Sequence, residues 1–151
     1  MPSKRPRAIP PPPPLRDDRA STIRVGTHYL LELHDCPHSV LNDPGAVERA
    51  LKESAREGRL TVVDVVVHAF SPVGVTGLAI LQESHLSVHT WPELGYAAAD
   101  VFTCGERVHP ERACTSLVRT LGAAQYSIRC IPREALPAPQ LIPTAAAGHG
   151  G

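Results

Sequence analysis

Proline placement limits where this chain can form a compact fold. Of its sixteen prolines, seven lie within the first fourteen residues and three lie between Pro137 and Pro143. Proline fixes φ and has no amide hydrogen, so such segments cannot join the interior of a helix or a sheet. We therefore predict one folded domain over residues 23–133. A basic, proline-rich disordered tail over residues 1–22 and a second disordered tail over residues 134–151 would flank it.

Charge is spread unevenly along the chain. Residues 1–24 carry six Lys or Arg against two Asp, whereas the remainder carries nine basic and thirteen acidic residues. A mildly acidic domain lacks the clustered cations of phosphate-driven binding, so we expect no nucleic-acid partner. No apolar run approaches the roughly 18 residues of a membrane span, and no apolar signal region follows the basic start. We expect a cytoplasmic protein with reduced cysteines and no membrane partner.

Hydrophobic periodicity predicts six strands and two helices. Asp43-Pro44 is typical of a helix start and Gly58 of its end, while Pro110 and Gly122 bound a second helix. The predicted strands are Thr27–Leu33, Leu60–Phe70, Val75–Gln82, His85–Trp91, Tyr96–Thr103 and Gln125–Ile131. The order βαββ-ββαβ predicts an α+β fold, a mostly antiparallel sheet with both helices on one face.

The two faces of the predicted sheet differ in composition. Two strands offer uncharged faces that should lie under the helices: Thr61, Val63, Val65, Val67 and Ala69 on one, and Ala97, Ala99, Val101 and Thr103 on the other. The opposite faces mix ionisable and aromatic residues, among them Asp64, His68, His85, His89, Trp91, Asp100, Phe102 and Cys104. Such a face indicates an interface, a functional site, or both.

Metal-ligand spacing is weak in this sequence. His34, Cys36 and His38 alternate, but Pro37 interrupts them and no second cluster completes four ligands. His85 and His89 would chelate zinc on a helix, yet their neighbours favour a strand. We therefore predict no metal site. The remaining cysteines, Cys114 and Cys130, are interpreted as core residues, whereas Cys104 ends the mixed face of its strand next to a glycine.

One long stretch carries a family resemblance. Residues 83–93 read ESHLSVHTWPE, residues 95–98 read GYAA and residues 100–105 read DVFTCG. Together they closely resemble the bacterial and archaeal S-adenosylmethionine decarboxylase proenzymes. Upstream segments are similar too: LND at 41–43, DVV at 64–66, FSP at 70–72 and GVTG at 74–77. The resemblance covers roughly residues 26–131 and excludes both tails.

The resemblance implies a self-made cofactor. The chain would cut itself between Glu83 and Ser84, giving a β chain of residues 1–83 and an α chain of residues 84–151 whose Ser84 has become a pyruvoyl group. Neither pyridoxal phosphate nor a metal would be needed. His89 matches the histidine that removes the Ser84 Cα proton. Thr76 stands where the family usually has a serine that assists processing, a departure that substitutes a stiffer hydroxyl side chain.

The resemblance also implies how the substrate is handled. The pyruvoyl carbonyl would form a Schiff base with S-adenosylmethionine and draw electrons as CO₂ leaves, and Cys104 would reprotonate the product carbon. Phe70, Trp91 and Glu93 match substrate-binding positions. The product would be the aminopropyl donor of spermidine and polyamine synthesis. The expected assembly is a homodimer, or a dimer of αβ pairs, joined through the mixed faces as an αββα sandwich.

Two other interpretations stay open from the sequence. A pyruvoyl-dependent decarboxylase of arginine or ornithine would keep the same processing residues. A non-catalytic homologue could keep the fold without being processed, although retention of Ser84, His89 and Cys104 together argues against it.

Overall fold

The computed structural model describes residues 22–105 and 107–135. The predicted tails therefore lie outside the described residues, apart from residue 22 and residues 134–135. No helix within these residues has the length and apolar character needed to cross a membrane. The strands are β1 Ile23–His34, β2 Val62–Ala69, β3 Val75–Leu81, β4 Ser84–Trp91, β5 Tyr96–Thr103 and β6 Gln125–Ala135. The helices are α1 His38–Leu41, α2 Pro44–Glu57 and α3 Pro110–Thr120, with a 3₁₀ turn at Pro92–Leu94.

The six strands form one sheet in the order β2-β3-β4-β5-β1-β6, and every neighbouring pair is antiparallel. Helix α2 packs on β2, β3 and β4, helix α3 packs on β5 and β1, and the two helices contact each other. Both long helices therefore cover the same face. The predicted α+β fold and its βαββ-ββαβ order are confirmed.

Local sequence signals explain where α2 begins. The Asp43 carboxylate accepts a 2.8 Å hydrogen bond from the backbone N–H of Gly45, and Pro44 occupies the first helical position. The side chains Val47, Ala50, Leu51 and Ala55 then form a buried stripe at helical spacing.

The core lies between the helices and one face of the sheet. Alternate strand residues are buried there, including Tyr29, Leu31, Leu33, Val75, Ala79, Leu86, Val88, Ala97, Ala99 and Val101. Helix α2 approaches β3 most closely at Gly77, where an added Cβ would lie 2.7 Å from Leu51 Cδ1 and 2.8 Å from Val47 Cγ1. A glycine at this position lets the helix lie close to the sheet.

The prediction for β2 was partly wrong. Val65 and Val67 pack against the core, but Thr61, Val63 and Ala69 are exposed. The pairing with β3 shifts register between Val62 and Asp64, so one residue of β2 is inserted and the alternation of faces slips there. The inner strand β1 is longer than predicted, as is β6, because the two pair with each other from Ile23 to His34. Helix α1 and the 3₁₀ turn were not predicted.

The other sheet face has no helix over it among the described residues, and we call it the open face. Large apolar side chains remain exposed there, including Val66, Phe70, Leu78, Ile80 and Trp91. The same face carries His28, His85, His89 and Asp100, whose positions follow from the strand pairing. A surface that combines apolar and ionisable groups in this way is typical of an interaction or binding surface.

Candidate active site

The bond predicted to be cut lies in the β3–β4 hairpin. Leu81 pairs with Ser84, so Gln82 and Glu83 form a two-residue turn. Glu83 has φ of 70°, a left-handed conformation that usually takes glycine. Such a backbone costs on the order of 1–2 kcal/mol for a residue with a side chain. Strain is therefore located at the residue whose carbonyl Ser84 would attack.

A cavity of about 680 Å³ opens beside this hairpin. Glu83, Ser84 and Cys104 all line it, together with Arg59 and Arg107. We call the group Glu83, Ser84 and Cys104 the Ser84 end. Because Cys104 follows β5 and Ser84 begins β4, the pairing of these two strands brings the predicted nucleophile and proton donor to one cavity.

Cys104 lies against the backbone of β1. A Cβ built at Gly26 would lie 3.1 Å from Cys104 Sγ, 2.8 Å from Phe102 Cε2 and 2.6 Å from the Thr103 carbonyl oxygen. Only glycine leaves room for the thiol and the Phe102 ring at this point.

A second cavity of about 380 Å³ lies at the other end of β4. Its lining includes all the other predicted site residues: Phe70, Thr76, His89, Trp91 and Glu93. We call these five residues the His89 end. The aromatic residues there are accessible, with 53% of Phe70 and 40% of Trp91 exposed.

Thr76 and His89 are directly opposed on β3 and β4. The Thr76 Oγ1 and His89 Nδ1 atoms lie 2.9 Å apart, so the threonine hydroxyl is within hydrogen-bond distance of the histidine. When Nδ1 donates its proton to Thr76, Nε2 is left unprotonated and able to act as a base.

The backbone under the His89 end is held by buried polar contacts. The Thr90 hydroxyl donates to the Leu41 carbonyl at 2.8 Å and accepts from the Val75 N–H at 2.8 Å. The Asn42 side chain accepts from the Gly74 N–H at 3.1 Å. These bonds connect α1 to both strands and fix the position from which His89 and Trp91 project.

Trp91 packs against a row of tilted rings. Its ring centroid lies 5.3 Å from that of Tyr96, which lies 5.3 Å from that of His34. The Tyr96 hydroxyl donates a hydrogen bond to Glu32, which raises the pKa of Tyr96 to about 12, with burial adding to the effect. The tyrosine thus stays protonated and keeps this contact at any physiological pH.

The two ends are too far apart to form one site within a chain. His89 is five positions after Ser84, which is about 17 Å along an extended strand. Alternation also directs their side chains to opposite faces of β4: Ser84 shares its parity with the buried Leu86 and Val88, whereas His89 is on the open face. The structure brings Ser84 and Cys104 together but leaves His89 away from both.

A carboxylate network lies on the open face between the ends. Asp100 Oδ2 accepts hydrogen bonds from His28 Nε2 at 2.7 Å and His85 Nε2 at 2.8 Å, while Oδ1 accepts from the Ser87 hydroxyl. Burial alone would raise the pKa of Asp100, but the bonds from Ser87, His28 and His85 outweigh it and lower the pKa. Asp100 is therefore ionised near neutral pH.

The ligand atoms of His28, His85 and Asp100 all lie within 4.8 Å of one another, a group that could hold a metal ion. Arg133 Nη1 donates a 3.1 Å hydrogen bond to His28 Nδ1, which assigns the His28 proton to Nε2. A cation would have to displace that proton. The groups that were considered and set aside in the sequence fit less well, because His85 and His89 are four residues apart on a strand and Cys36 is buried.

Comparison with known proteins identifies the family of this chain. The family model for S-adenosylmethionine decarboxylase matches residues 27–134. The chain belongs to the S-adenosylmethionine decarboxylase family. It is 49% identical over 110 residues to the S-adenosylmethionine decarboxylase proenzyme of Prochlorococcus marinus strain MIT 9313, covering 73% of this chain and 88% of that protein.

A second relative and a solved structure extend the comparison. The proenzyme of Moorella thermoacetica is 46% identical over 116 residues, covering 77% of this chain and 93% of that protein. The crystal structure of the adenosylmethionine decarboxylase from Aquifex aeolicus VF5 superposes with a TM-score of 0.70 at 27% identity, covering 76% of this chain and 95% of that one. The family membership predicted from the motifs is confirmed.

Sequence reasoning missed part of the candidate site in this decarboxylase-family chain. Asp100 was placed on the mixed face, but its contacts with His28 and His85 depend on β5 lying between β4 and β1. Nothing in the strand patterns gives that order. The strain at Glu83 was not predicted, because Gln-Glu in a two-residue turn has no glycine to mark a left-handed position.

We expect Cys104 to react first among the four cysteines. Burial, aided by the charge of Asp35, raises the pKa of Cys36 from 9.0 to about 11, and burial also raises the pKa of Cys114 and Cys130. A two-unit rise lowers the thiolate fraction about 100-fold. Cys104 instead borders an open cavity.

Iodoacetamide at pH 8, followed by peptide mapping, should therefore alkylate Cys104 well before Cys36. Guanidinium-unfolded protein, in which all four cysteines should label alike, is the control. Labelling of Cys36 or Cys114 in the folded protein as fast as Cys104 would contradict this assignment.

Proposed function

We propose that this chain is a self-cleaving proenzyme that decarboxylates S-adenosylmethionine with a pyruvoyl group made from Ser84. The observation that carries the proposal is the hairpin: a strained Glu83 precedes Ser84, and Ser84 shares a cavity with Cys104. The decarboxylated product would supply the aminopropyl group for spermidine synthesis.

The cleavage would use the chain's own groups. The Ser84 hydroxyl attacks the Glu83 carbonyl carbon, the C–N bond breaks and an ester replaces the amide. A base then removes the Ser84 Cα proton, and the bond between Ser84 Cβ and the ester oxygen breaks with the Glu83 carboxylate as leaving group. The dehydroalanine that remains takes up water and releases ammonia, leaving the pyruvoyl group on the α chain. The positive φ of Glu83 supports the first step by destabilising the uncut peptide.

His89 is the proposed base, acting from a second copy of the chain. Its 2.9 Å contact with Thr76 orients the ring, but its own Ser84 lies about 17 Å away along β4. A two-fold dimer through the open faces would bring the partner subunit's His89 against the backbone of each Ser84, twice per dimer. The base acts on the Ser84 Cα proton and not on the hydroxyl, so it can approach from the open face although the Ser84 side chain has the parity of the helix-covered face. The exposed apolar side chains of the open face support this αββα sandwich.

Substrate binding would then be shared between the two ends. Trp91 and Phe70 offer exposed aromatic faces for the adenine and for the sulfonium charge, and Glu93 offers a carboxylate for the ribose hydroxyls. The pyruvoyl carbonyl, once formed, supplies an electron sink for loss of CO₂. Cys104, which lines the Ser84 cavity, is the proposed donor of the proton that replaces CO₂.

We expect purified wild-type protein to be cut between Glu83 and Ser84. Its intact-mass spectrum should contain a chain of residues 1–83 and a chain of residues 84–151 with a blocked amino end. Ser84→Ala removes the nucleophile and should leave one uncut chain. A single uncut species from the wild type after prolonged incubation would refute the proposal.

We expect complementary variants to restore cleavage when they share a dimer. His89→Ala lacks the base and Ser84→Ala lacks the nucleophile, so neither should be cut by itself. In a mixed dimer, the Ser84 of one chain faces the His89 of the other, and one intact site results. With equal co-expression and random pairing, about half of the His89→Ala chains should be cut.

Differently tagged chains and pull-down of mixed dimers make this measurable by mass spectrometry. Co-expression of His89→Ala with the double variant Ser84→Ala/His89→Ala is the matched control and should give no cut. Mixed dimers that remain uncut would show that His89 does not act across the interface.

We expect Cys104→Ala to separate cleavage from turnover. The variant keeps Ser84 and should still be cut, but CO₂ release should fall about 10²–10⁴-fold, the usual contribution of a positioned general acid. Cys130→Ala, a change at a thiol on the helix-covered side, is the control. Labelled S-adenosylmethionine, arginine and ornithine are assayed in parallel, and faster CO₂ release from either amino acid would overturn the substrate assignment.

A further inference from the structure

The Asp100 network joins three strands at one carboxylate. Its donors come from β1 through His28 and from β4 through His85 and Ser87, while Asp100 itself is on β5. The side chains of His28 and Asp100 are 18% and 19% exposed, so both are mostly shielded from water. A carboxylate that accepts three such bonds holds its neighbours firmly, because hydrogen bonds to an ionised group are the strong ones.

His85 differs from the other donors in its place along the chain. It follows Ser84, so after cleavage its backbone nitrogen would carry the pyruvoyl group. In the uncut chain, the turn at Gln82 and Glu83 holds the start of β4 against β3. Cleavage removes that covalent link and turns the start of β4 into a chain end, where strands ordinarily fray.

The anchor is in β5, and the proposed proton donor directly follows that strand. Asp100 is four residues before Cys104, and Phe102 lies between them in sequence. The Phe102 ring centroid is 5.3 Å from that of His28 and 5.7 Å from that of His85. The contact between His85 and Asp100 therefore fixes the start of β4 relative to the strand that leads to Cys104.

The charged surroundings agree with an anchoring role. Arg133 of β6 donates to His28 Nδ1 and lies with its guanidinium carbon 5.6 Å from the centroid of the Phe102 ring. Arg133 thus leaves Nε2 as the His28 atom that donates to Asp100, beside the His85 donor to the same carboxylate oxygen.

We propose that Asp100 is a positioning residue which, through His85, anchors the chain end that cleavage creates at Ser84. This role rests on the self-cleavage proposed above. The contact between His85 and Asp100 should therefore protect the start of β4 more in the cut protein than in the uncut one, because the hairpin turn holds the start of β4 before the cut.

The test is amide hydrogen exchange over residues 85–88, measured by mass spectrometry in cut and uncut proteins. In the cut protein, His85→Ala should speed exchange at these amides about tenfold, the effect of losing one charge-assisted hydrogen bond. In the uncut Ser84→Ala background, adding His85→Ala should change exchange less than about twofold. His85→Gln keeps an N–H donor and should restore most of the protection.

His28→Ala is the matched control, since it removes a donor to the same carboxylate oxygen from a strand whose ends are not at the cut. It should leave exchange at residues 85–88 within about twofold of wild type. Asp100→Asn should reproduce the effect of His85→Ala.

Each result is decisive. An equal increase in cut and uncut proteins, or no increase in either, would overturn the anchoring role. Failure of both His85→Ala and Asp100→Asn to be cut, with wild type cut normally, would place the network in cleavage itself and overturn it as well. An uncut wild type would instead refute the proposed function.

Discussion

Helices α2 and α3 cover one face of a six-stranded sheet, and the chemistry of the other face depends on that asymmetry. Strand alternation sends apolar side chains under the helices, where Gly77 lets α2 approach β3 closely. The buried Tyr29 hydroxyl donates to Glu111 at 2.8 Å and ties β1 to α3. Because the core lies on the helix-covered face, the alternate strand positions on the open face do not need to be apolar. They can hold histidine, aspartate and aromatic residues.

Much of this organisation could be predicted from the sequence, because it follows from local patterns. Proline and glycine positions bounded both long helices, and alternation identified all six strands. The errors arose where pairing between strands that are distant in sequence determines which side chains are buried and which residues contact each other. The inserted residue near Val63 exposes a side chain expected in the core, and no periodicity reveals a bulge. The contact of His28 with Asp100 required knowing that β5 lies beside β1, although 72 positions separate the two residues.

One property of the site was contained in the sequence but needs the structure to be recognised. Ser84 and His89 are five residues apart, and once both are known to be on one straight strand they cannot meet. The motif that identifies the family is thus a continuous stretch of sequence whose predicted catalytic residues lie at opposite ends of a strand. Between them, the ionised Asp100 contributes its full stabilisation above the ordinary pKa of an aspartate, because its pKa is lower in the folded than in the unfolded chain. That contribution is lost as pH falls from the ordinary pKa through the lowered one.

The strand order has a further consequence if the chain is cut at Ser84. The amino-terminal fragment would contain β1, β2 and β3, and the carboxy-terminal fragment would contain β4, β5 and β6. In the order β2-β3-β4-β5-β1-β6, strand β1 is inserted between two strands of the other fragment, and β3 borders a third. The fragments would pair through backbone hydrogen bonds at three strand pairs, β3–β4, β5–β1 and β1–β6. Because strands of the two fragments alternate within one sheet, the fragments should remain together on dilution and separate only when the sheet itself unfolds.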